Sequence, residues 1–316
     1  MANNILNKDK LNIYKNNVNY IHGNAKSCLD SLISRNRTFK LIITSPPYNM
    51  DKEYEKSKSL YNYKKEIEII IEKLVHLLDD EGSICWQVGN YVNPKSKEVI
   101  PLDIFYHDIF KKFNFILRNR IIWHFGHGLH ASLRFSGRYE TIMWYTKNSN
   151  YTFNLDSVRI PAKYPGKKSY KGEKKGQISG NPIGKNPSDV WVILKKEWDK
   201  DLWEIPNVKA HHKEKTIHPC QYPIELVERC VLALTNEGDW ILDPYAGVGS
   251  TLIAAIKNNR NSIGIEKYKK FIRIGEQRIE LFKEGKLPIR EIGTPIFIPD
   301  PKTAVAKKPD NFYIKK

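Results

Sequence analysis

Along this chain of 316 residues, short apolar runs alternate with stretches whose apolar positions recur three and four residues apart. The runs at residues 18–22, 41–44, 83–88, 116–123, 141–145, 240–242 and 262–265 predict strands. Residues 64–78, 223–234 and 251–258 carry the helical spacing and predict helices laid on the sheet. Such alternation specifies an α/β fold: a doubly wound, mostly parallel sheet with helices over both faces. Sheets of this kind bind ligands outside the carboxyl ends of their strands, so the residues following each strand are the place to look for chemistry.

Two stretches break the alternation. Residues 150–210 hold Pro, Gly, Lys, Tyr and Trp without a sustained period of either kind, which predicts an inserted lobe. From residue 286 onward the chain is rich in Pro and Lys and reads as an extension, wrapped on the surface or loosely held. The expected organisation is a core built in two halves, 1–149 and 211–285, with a lobe at 150–210 between them and an extension over 286–316. No internal repeat is present.

Charge narrows the class of partner. Fifty-two basic residues against thirty-five acidic ones give a formal net charge of +17, which points to a polyanion, although a general solubility bias gives the same sign. A mean hydropathy of -0.53 and the lack of an apolar run near ~20 residues predict no membrane span. The opening Met-Ala-Asn-Asn-Ile lacks the order of a secretory signal, which predicts a cytoplasmic protein. Cys28, Cys85, Cys220 and Cys230 form no CxxC pair, so neither a zinc site nor a disulfide framework is expected. His124, His127 and His130 have no carboxylate or cysteine at matching spacing and read as residues of a loop or facing the polyanion rather than metal ligands.

Two motifs carry candidate chemistry. Thr44-Ser45-Pro46-Pro47-Tyr48-Asn49 follows the apolar run Leu41-Ile42-Ile43. Two prolines cannot donate to a sheet ladder, so the strand ends here and delivers the motif to the carboxyl edge. An exocyclic base amine is a poor nucleophile because its lone pair is delocalised into the ring. Acceptors that draw its N–H groups out of conjugation ease the reaction, and the Ser45 hydroxyl and the Pro46 carbonyl are two such acceptors. Tyr48 offers a face on which an extruded base can stack, and Pro47 would fix the angle between acceptor and ring. A strand-ending turn with a core tyrosine is the competing reading of this tetrapeptide.

The second motif, Asp243-Pro244-Tyr245-Ala246-Gly247-Val248-Gly249-Ser250-Thr251, lies between a strand and a helix. Gly247 and Gly249 permit a tight turn and close approach by a ligand, and Glu266 ends the next strand, where a carboxylate can bind both hydroxyls of a ribose. A dinucleotide fingerprint fits less well, because Thr251 and Leu252 replace its third glycine and Asp243 stands where an apolar residue is usual. Ser45 and Gly247 are expected on adjacent strand ends facing one cleft.

Together these residues resemble the amino-methyltransferases of bacterial restriction-modification systems, with their Ser/Asp-Pro-Pro-Tyr segment and Asp-Pro-Phe-x-Gly-x-Gly-like loop. Tyr245 replaces the usual Phe. The catalytic motif precedes the cofactor motif, as in the permuted β class, and Lys215-Thr216-Ile217-His218-Pro219 and Arg138-Tyr139-Glu140-Thr141-Ile142-Met143-Trp144 are similar to further family segments. The resemblance implies a class I S-adenosylmethionine-dependent methyltransferase fold acting on double-stranded DNA. It implies Asn24, His218, Pro219, Asp243, Tyr245, Gly247, Gly249, Ser250 and Glu266 around S-adenosylmethionine, with Asn24 standing where the family usually has Asp. Ser at the first catalytic position leans toward cytosine N4, with adenine N6 as the alternative. A homodimer and a cognate restriction endonuclease are partners that the resemblance leaves open.

Arg159, Lys163, Lys167, Lys168, Lys171, Lys174 and Lys175, interleaved with Tyr164 and Tyr170, suit phosphate contacts with stacking and mark the lobe as a target-recognition candidate. A cytosine-C5 enzyme would need a thiolate such as Cys220, but that residue belongs to the segment leading into the cofactor loop and reads as a small packing residue. A DNA-binding protein with a vestigial cofactor fold and a nicotinamide-dependent dehydrogenase are the rivals from other classes.

Overall fold

The computed structural model describes residues 17–49, 58–93, 95–125, 131–162, 166–191, 208 and 212–290. In chain order its elements are β1 (Val18–His22), α1 (Ala25–Ile33), β2 (Phe39–Thr44), α2 (Leu60–Leu77), β3 (Leu78–Val88), β4 (Asn90–Val92), β5 (Val99–Pro101) and α3 (Leu102–Lys112). There follow β6 (Ile116–His124), β7 (Tyr139–Thr146), a 3-10 turn at Leu155–Val158, β8 (Val190–Trp191), α4 (Ile224–Leu234), β9 (Trp240–Asp243), α5 (Ser250–Lys257), β10 (Asn261–Glu266) and α6 (Lys269–Lys283).

Eight strands form one sheet in the order β1-β10-β9-β2-β3-β7-β6-β8. Strands β1, β10, β9, β2 and β3 run parallel, and β7 is antiparallel to both of its neighbours. From β9 the chain steps outward to β10, and from β2 it steps the other way to β3. The boundary between β9 and β2 is therefore a topological switch point, where the connections diverge and leave a crevice at the carboxyl edge. Leu41 pairs with Ile241 and Ile42 with Leu242, so the two strands end side by side.

Alternation along β2 sends its residues to two cores. Leu41 and Ile43 join Val227, Val231, Leu252 and Ile256 of α4 and α5 on one face. Ile42 joins Leu29, Ile71, Leu74 and Phe110 of α1, α2 and α3 on the other. Burial on both faces explains why the strands read as continuous apolar runs rather than alternating ones.

Several expectations change. Helix α2 passes directly into β3, which starts at Leu78 rather than at residue 83, and the β2–β3 register shifts between Phe39 and Leu41. Helices α1, α3 and α6 stand beyond the predicted set. The buried stripe of α6 includes Gly275 and Arg278 beside Phe271, Ile272 and Ile279, which dilutes its apolar period. The 150–210 stretch is not wholly irregular, since Val190–Trp191 pairs with β6 at the sheet's edge. Residues 287 and 289 of the C-terminal stretch pack on the first core, and the Arg290 guanidinium pairs with the buried Glu225. Residues 291–316 lie outside the described residues. No helix among the described residues is long and apolar enough to cross a membrane.

Candidate active site

At the switch point the two strand ends are tied by one carboxylate. Asp243, fully buried, accepts from the Thr44 hydroxyl at 2.7 Å, the Tyr222 hydroxyl at 2.7 Å, the Thr251 hydroxyl at 2.6 Å and the Tyr245 amide at 3.0 Å. Burial pushes its pKa up, and those four donors oppose the shift by favouring the charged form. The bond to Thr44 spans 199 residues of sequence and fixes the end of β2 to the end of β9. Asp243 was expected beside the cofactor. Both oxygens are committed beneath the crevice, and through these bonds Asp243 positions the loop.

The glycine loop rises from this knot. Gly247 has φ of 50°, its amide donates to Glu266 Oε2 at 3.0 Å, and its carbonyl accepts from the Tyr20 hydroxyl at 3.2 Å. A Cβ on Gly247 would lie 3.1 Å from His218 Nε2, so the glycine lets the ring close over the loop. Gly249, with φ of 78°, packs on the other side, where a Cβ would sit 2.5 Å from the Tyr20 hydroxyl. That close approach gives Gly249 a packing role beneath the loop. Ser250 lines the cleft and donates to the Tyr222 carbonyl at 2.9 Å.

Glu266 takes one amide on each oxygen, Gly247 on Oε2 and Tyr268 on Oε1 at 2.7 Å. The Lys267 amide also bonds to the carboxylate, which leaves one of its four lone-pair directions for a ribose hydroxyl. Burial raises its pKa, and the backbone amides oppose the rise. His218 stands edge-on to Phe271 with ring centroids 4.4 Å apart, and its Nδ1 accepts from the Cys220 amide at 3.3 Å. Burial first, then Lys215, Lys270 and Arg278, bring its pKa down to about 4, so the ring is neutral with its proton on Nε2. Asn24 caps α1 by accepting from the Lys26 amide at 2.9 Å and, with Pro219 and Tyr245, lines this end of the cleft.

The other end is built from the Ser-Pro-Pro-Tyr turn. The Ser45 and Tyr48 hydroxyls are 2.9 Å apart, and the Tyr48 hydroxyl donates to Glu140 Oε2 at 3.4 Å. Gln87 Nε2 donates to the same carboxylate oxygen. Burial, followed by the charge of Glu140, holds the Tyr48 phenol well above its ordinary pKa, so it stays protonated. Tyr63 donates to the Pro47 carbonyl at 2.6 Å, and Asn49, at φ of 58°, exchanges two 2.7 Å hydrogen bonds with the Lys58 backbone. The turn is thus clamped at both ends. Gly89 closes against it, with a Cβ there falling 3.2 Å from Tyr48 Cε2. Glu140 and Gln87 are site residues that sequence reasoning missed. No local spacing links Glu140 to Tyr48; the pairings of β2 with β3 and of β3 with β7 bring the two together.

Ser45, Pro46, Pro47, Tyr48, Gly247 and Glu266 all line one cleft of about 1990 Å³. That exceeds the roughly 300–1,000 Å³ of a single small-ligand site and leaves room for two ligands side by side. Its outer wall is formed by residues 131–140, where Phe135 is wholly exposed, and by His124, whose pKa is lowered by burial and by Arg138. Cys220, expected to be a packing residue, is instead exposed on the cleft wall. His127 and His130 lie outside the described residues.

The basic lobe divides. Arg159 donates to Asp156 at 2.6 Å and to the Gly184 carbonyl at 3.0 Å, with only 14% of its side chain exposed. In this position it ties the lobe internally. Lys163 and Tyr164 lie outside the described residues. Lys167, Lys168, Lys171, Lys174 and Lys175 are exposed around a small hairpin, in which the Ser169 amide donates to the Gln177 carbonyl at 2.9 Å.

A parallel sheet with a single reversed strand, third from its edge, and a crevice at the switch point holding a glycine loop, define the class I S-adenosylmethionine-dependent methyltransferase fold. The PvuII DNA methyltransferase, described as cytosine-N4-specific, shares it at a TM-score of 0.60 and 15% identity, covering 83% of this chain and 89% of that one. A family model described as DNA methylase matches residues 39–277, and the chain belongs to that family, the amino-methyltransferases of restriction-modification type. The Type II methyltransferase M.BglII of Bacillus subtilis is 46% identical over 237 residues, which cover 75% of this chain and 62% of that protein. The chain therefore spans under two thirds of the length of that relative. The DNA adenine methyltransferase YhdJ of Escherichia coli (strain K12) is 29% identical over 263 residues, covering 83% of this chain and 82% of that protein.

Proposed function

We propose that this protein transfers a methyl group from S-adenosylmethionine to the N4 amine of a cytosine extruded from double-stranded DNA. The observation that carries this reading is the placement of the Ser45–Tyr48 turn and the Glu266–Gly247 loop in one cleft, across a single carboxylate knot.

The cofactor end fits the donor: the Glu266 carboxylate lines the cleft with room for a ribose hydroxyl, and the lack of a side chain at Gly247 leaves space beside His218. Gly23, Asn24, Tyr268 and Phe271 complete that wall. When bound, S-adenosylmethionine supplies an electrophilic methyl group whose bond to sulfur breaks as the amine attacks. At the opposite end, Ser45 Oγ and the Pro46 carbonyl accept the amine's hydrogens and return its lone pair to the nitrogen. Tyr48 stacks the base, and the clamps on Pro47 and Asn49 hold that surface in register.

Ser45, rather than an aspartate, supports cytosine N4 over adenine N6. Adenine N6 is the second reading, because both bases offer an amine beside a ring nitrogen. The five exposed lysines of the 150–210 lobe would hold flanking phosphates. We assign the lobe to target recognition, residues 1–149 and 211–285 to the two halves of the core, and 286–316 to an extension. We place the reaction in the cytoplasm; a second copy of the chain and a cognate endonuclease are the partners that this reading leaves open.

The test is to incubate protein, mixed duplex DNA and labelled donor, digest to nucleosides, and identify the product by chromatography and mass. N4-methyldeoxycytidine is expected. N6-methyldeoxyadenosine would transfer the assignment to the second reading. No label in either nucleoside, with donor and duplex both bound, would overturn both.

A further inference from the structure

Ser45 accepts a hydrogen from the amine, but an alcohol cannot keep a proton at neutral pH. Methyl transfer leaves the exocyclic nitrogen positively charged, with its methyl group and both original hydrogens, so one proton must go elsewhere. An aspartate at this position could take it; serine cannot. The Ser45 hydroxyl lies 2.9 Å from that of Tyr48, which donates at 3.4 Å to Glu140 Oε2.

We propose that Glu140 is the terminal proton acceptor of the reaction, reached through the hydroxyls of Ser45 and Tyr48. This rests on the methyltransferase reading above. The proton on nitrogen moves to Ser45 Oγ as the Ser45 proton moves to the Tyr48 oxygen and the Tyr48 proton moves to Glu140. The end state is a neutral methylamine, two intact hydroxyls and a carboxylic acid, which returns its proton to water when the cleft opens.

The surroundings suit the task. Gln87 Nε2 donates to the same oxygen and holds the carboxylate toward Tyr48, and glycine at position 89 leaves space for both. The titratable and charged groups nearby are Tyr48 from the β2 turn, Tyr63 of α2 and Cys220 beside Tyr48, Arg138 in the chain before β7, and His124 of β6, whose backbone pairs with Tyr139. Glu140 is the anion among them and receives the proton.

Three variants test the chain: Glu140→Gln, Tyr48→Phe, and Ser45→Asp combined with Glu140→Gln. Single-turnover methylation by Glu140→Gln is expected to fall at least about 100-fold with donor binding unchanged by calorimetry, and the acidic limb of the wild-type pH–rate profile should disappear. Tyr48→Phe keeps the ring but breaks the relay, and should fall similarly. The Ser45→Asp, Glu140→Gln protein, with a carboxylate at the amine itself, should recover at least tenfold over Glu140→Gln. Independently of turnover, carbon-13 NMR of labelled tyrosine, with Tyr48 assigned by Tyr48→Phe, should show its phenol titrating lower in Glu140→Gln than in wild type. If Glu140→Gln or Tyr48→Phe retains wild-type single-turnover rates, if Ser45→Asp fails to rescue a folded Glu140→Gln protein, or if the Tyr48 titration is unmoved, the relay is wrong. A wild-type protein that methylates no DNA sinks the underlying reading instead.

Discussion

Removing a buried group that satisfies several donors costs more than the bonds it made, because every stranded donor must then go without water. Asp243 satisfies the Thr44, Tyr222 and Thr251 hydroxyls and the Tyr245 amide. At about 1–3 kcal/mol for each buried group left unpaired, Asp243→Ala should lower stability by more than ~3 kcal/mol in urea denaturation. Asp243→Asn keeps an acceptor and lets the hydroxyls rotate, so its loss should be smaller; equal losses would argue against the knot. Tyr48 belongs to the opposite case, in which function rather than folding carries the cost. Tyr48→Ala should bind the donor as wild type does while turnover drops a further roughly 10–100-fold below that of Tyr48→Phe, the equivalent of ~1–3 kcal/mol of stacking. Donor binding that falls in parallel with turnover would show that the tyrosine supports the whole cleft.

Between elements, the decisive contact is one that no motif announced. The Tyr20 hydroxyl of β1 fills the notch between Gly249 and Gly275 of α6, where a Cβ on Gly275 would stand 1.9 Å from the hydroxyl oxygen. Gly275→Ala should therefore destabilise the protein by about 1–3 kcal/mol, as overpacking does. Adding Tyr20→Phe should restore part of that, so that a double-mutant cycle in thermal unfolding is non-additive; strict additivity would rule out the collision. This contact also shows where sequence reading stops. The strands at residues 41–44 and 240–242 were legible because burial on both faces leaves near-continuous apolar runs. The helix over Lys269–Lys283 was not, because it buries a glycine and an arginine in its packing stripe for the sake of a tyrosine some 250 residues earlier. Likewise, Ser45 and Gly247 announced themselves through local spacing, whereas Glu140 enters the site through the pairings of β2 with β3 and of β3 with β7.

For the molecule as a whole, protonation and charge set the working conditions. His212 and His218 are both held to about 4, chiefly by burial, with Arg290 pressing on the first and Lys215, Lys270 and Arg278 on the second. In the unfolded chain they titrate near ~6.5, so between these values the unfolded state binds more protons, and their contribution is intact above ~6.5 and disappears as pH falls toward 4. Glu214, Asp243 and Glu266, with raised pKa values, pull the other way at lower pH. His212 is therefore read by difference: between pH ~7.5 and ~5 the wild type should lose on the order of 1 kcal/mol more stability than His212→Gln. Parallel curves would remove the effect. Replacing Lys167, Lys168, Lys171, Lys174 and Lys175 by Ala should flatten the salt dependence of DNA binding by roughly 0.9 in log–log slope for each phosphate that is no longer neutralised. An unchanged slope would place the phosphate-binding groups elsewhere.

The position of β2 between β3 and β9 has a consequence for the growing polypeptide. On the ribosome, β2 and β3 are complete long before residues 240–243 emerge, and until then β2 presents a bare row of amides and carbonyls along an apolar strand. The seat of β9 must wait unfilled through the synthesis of nearly the whole remaining core. That interval leaves the nascent protein open to pairing with a neighbour, and Asp243 is the residue whose arrival closes it.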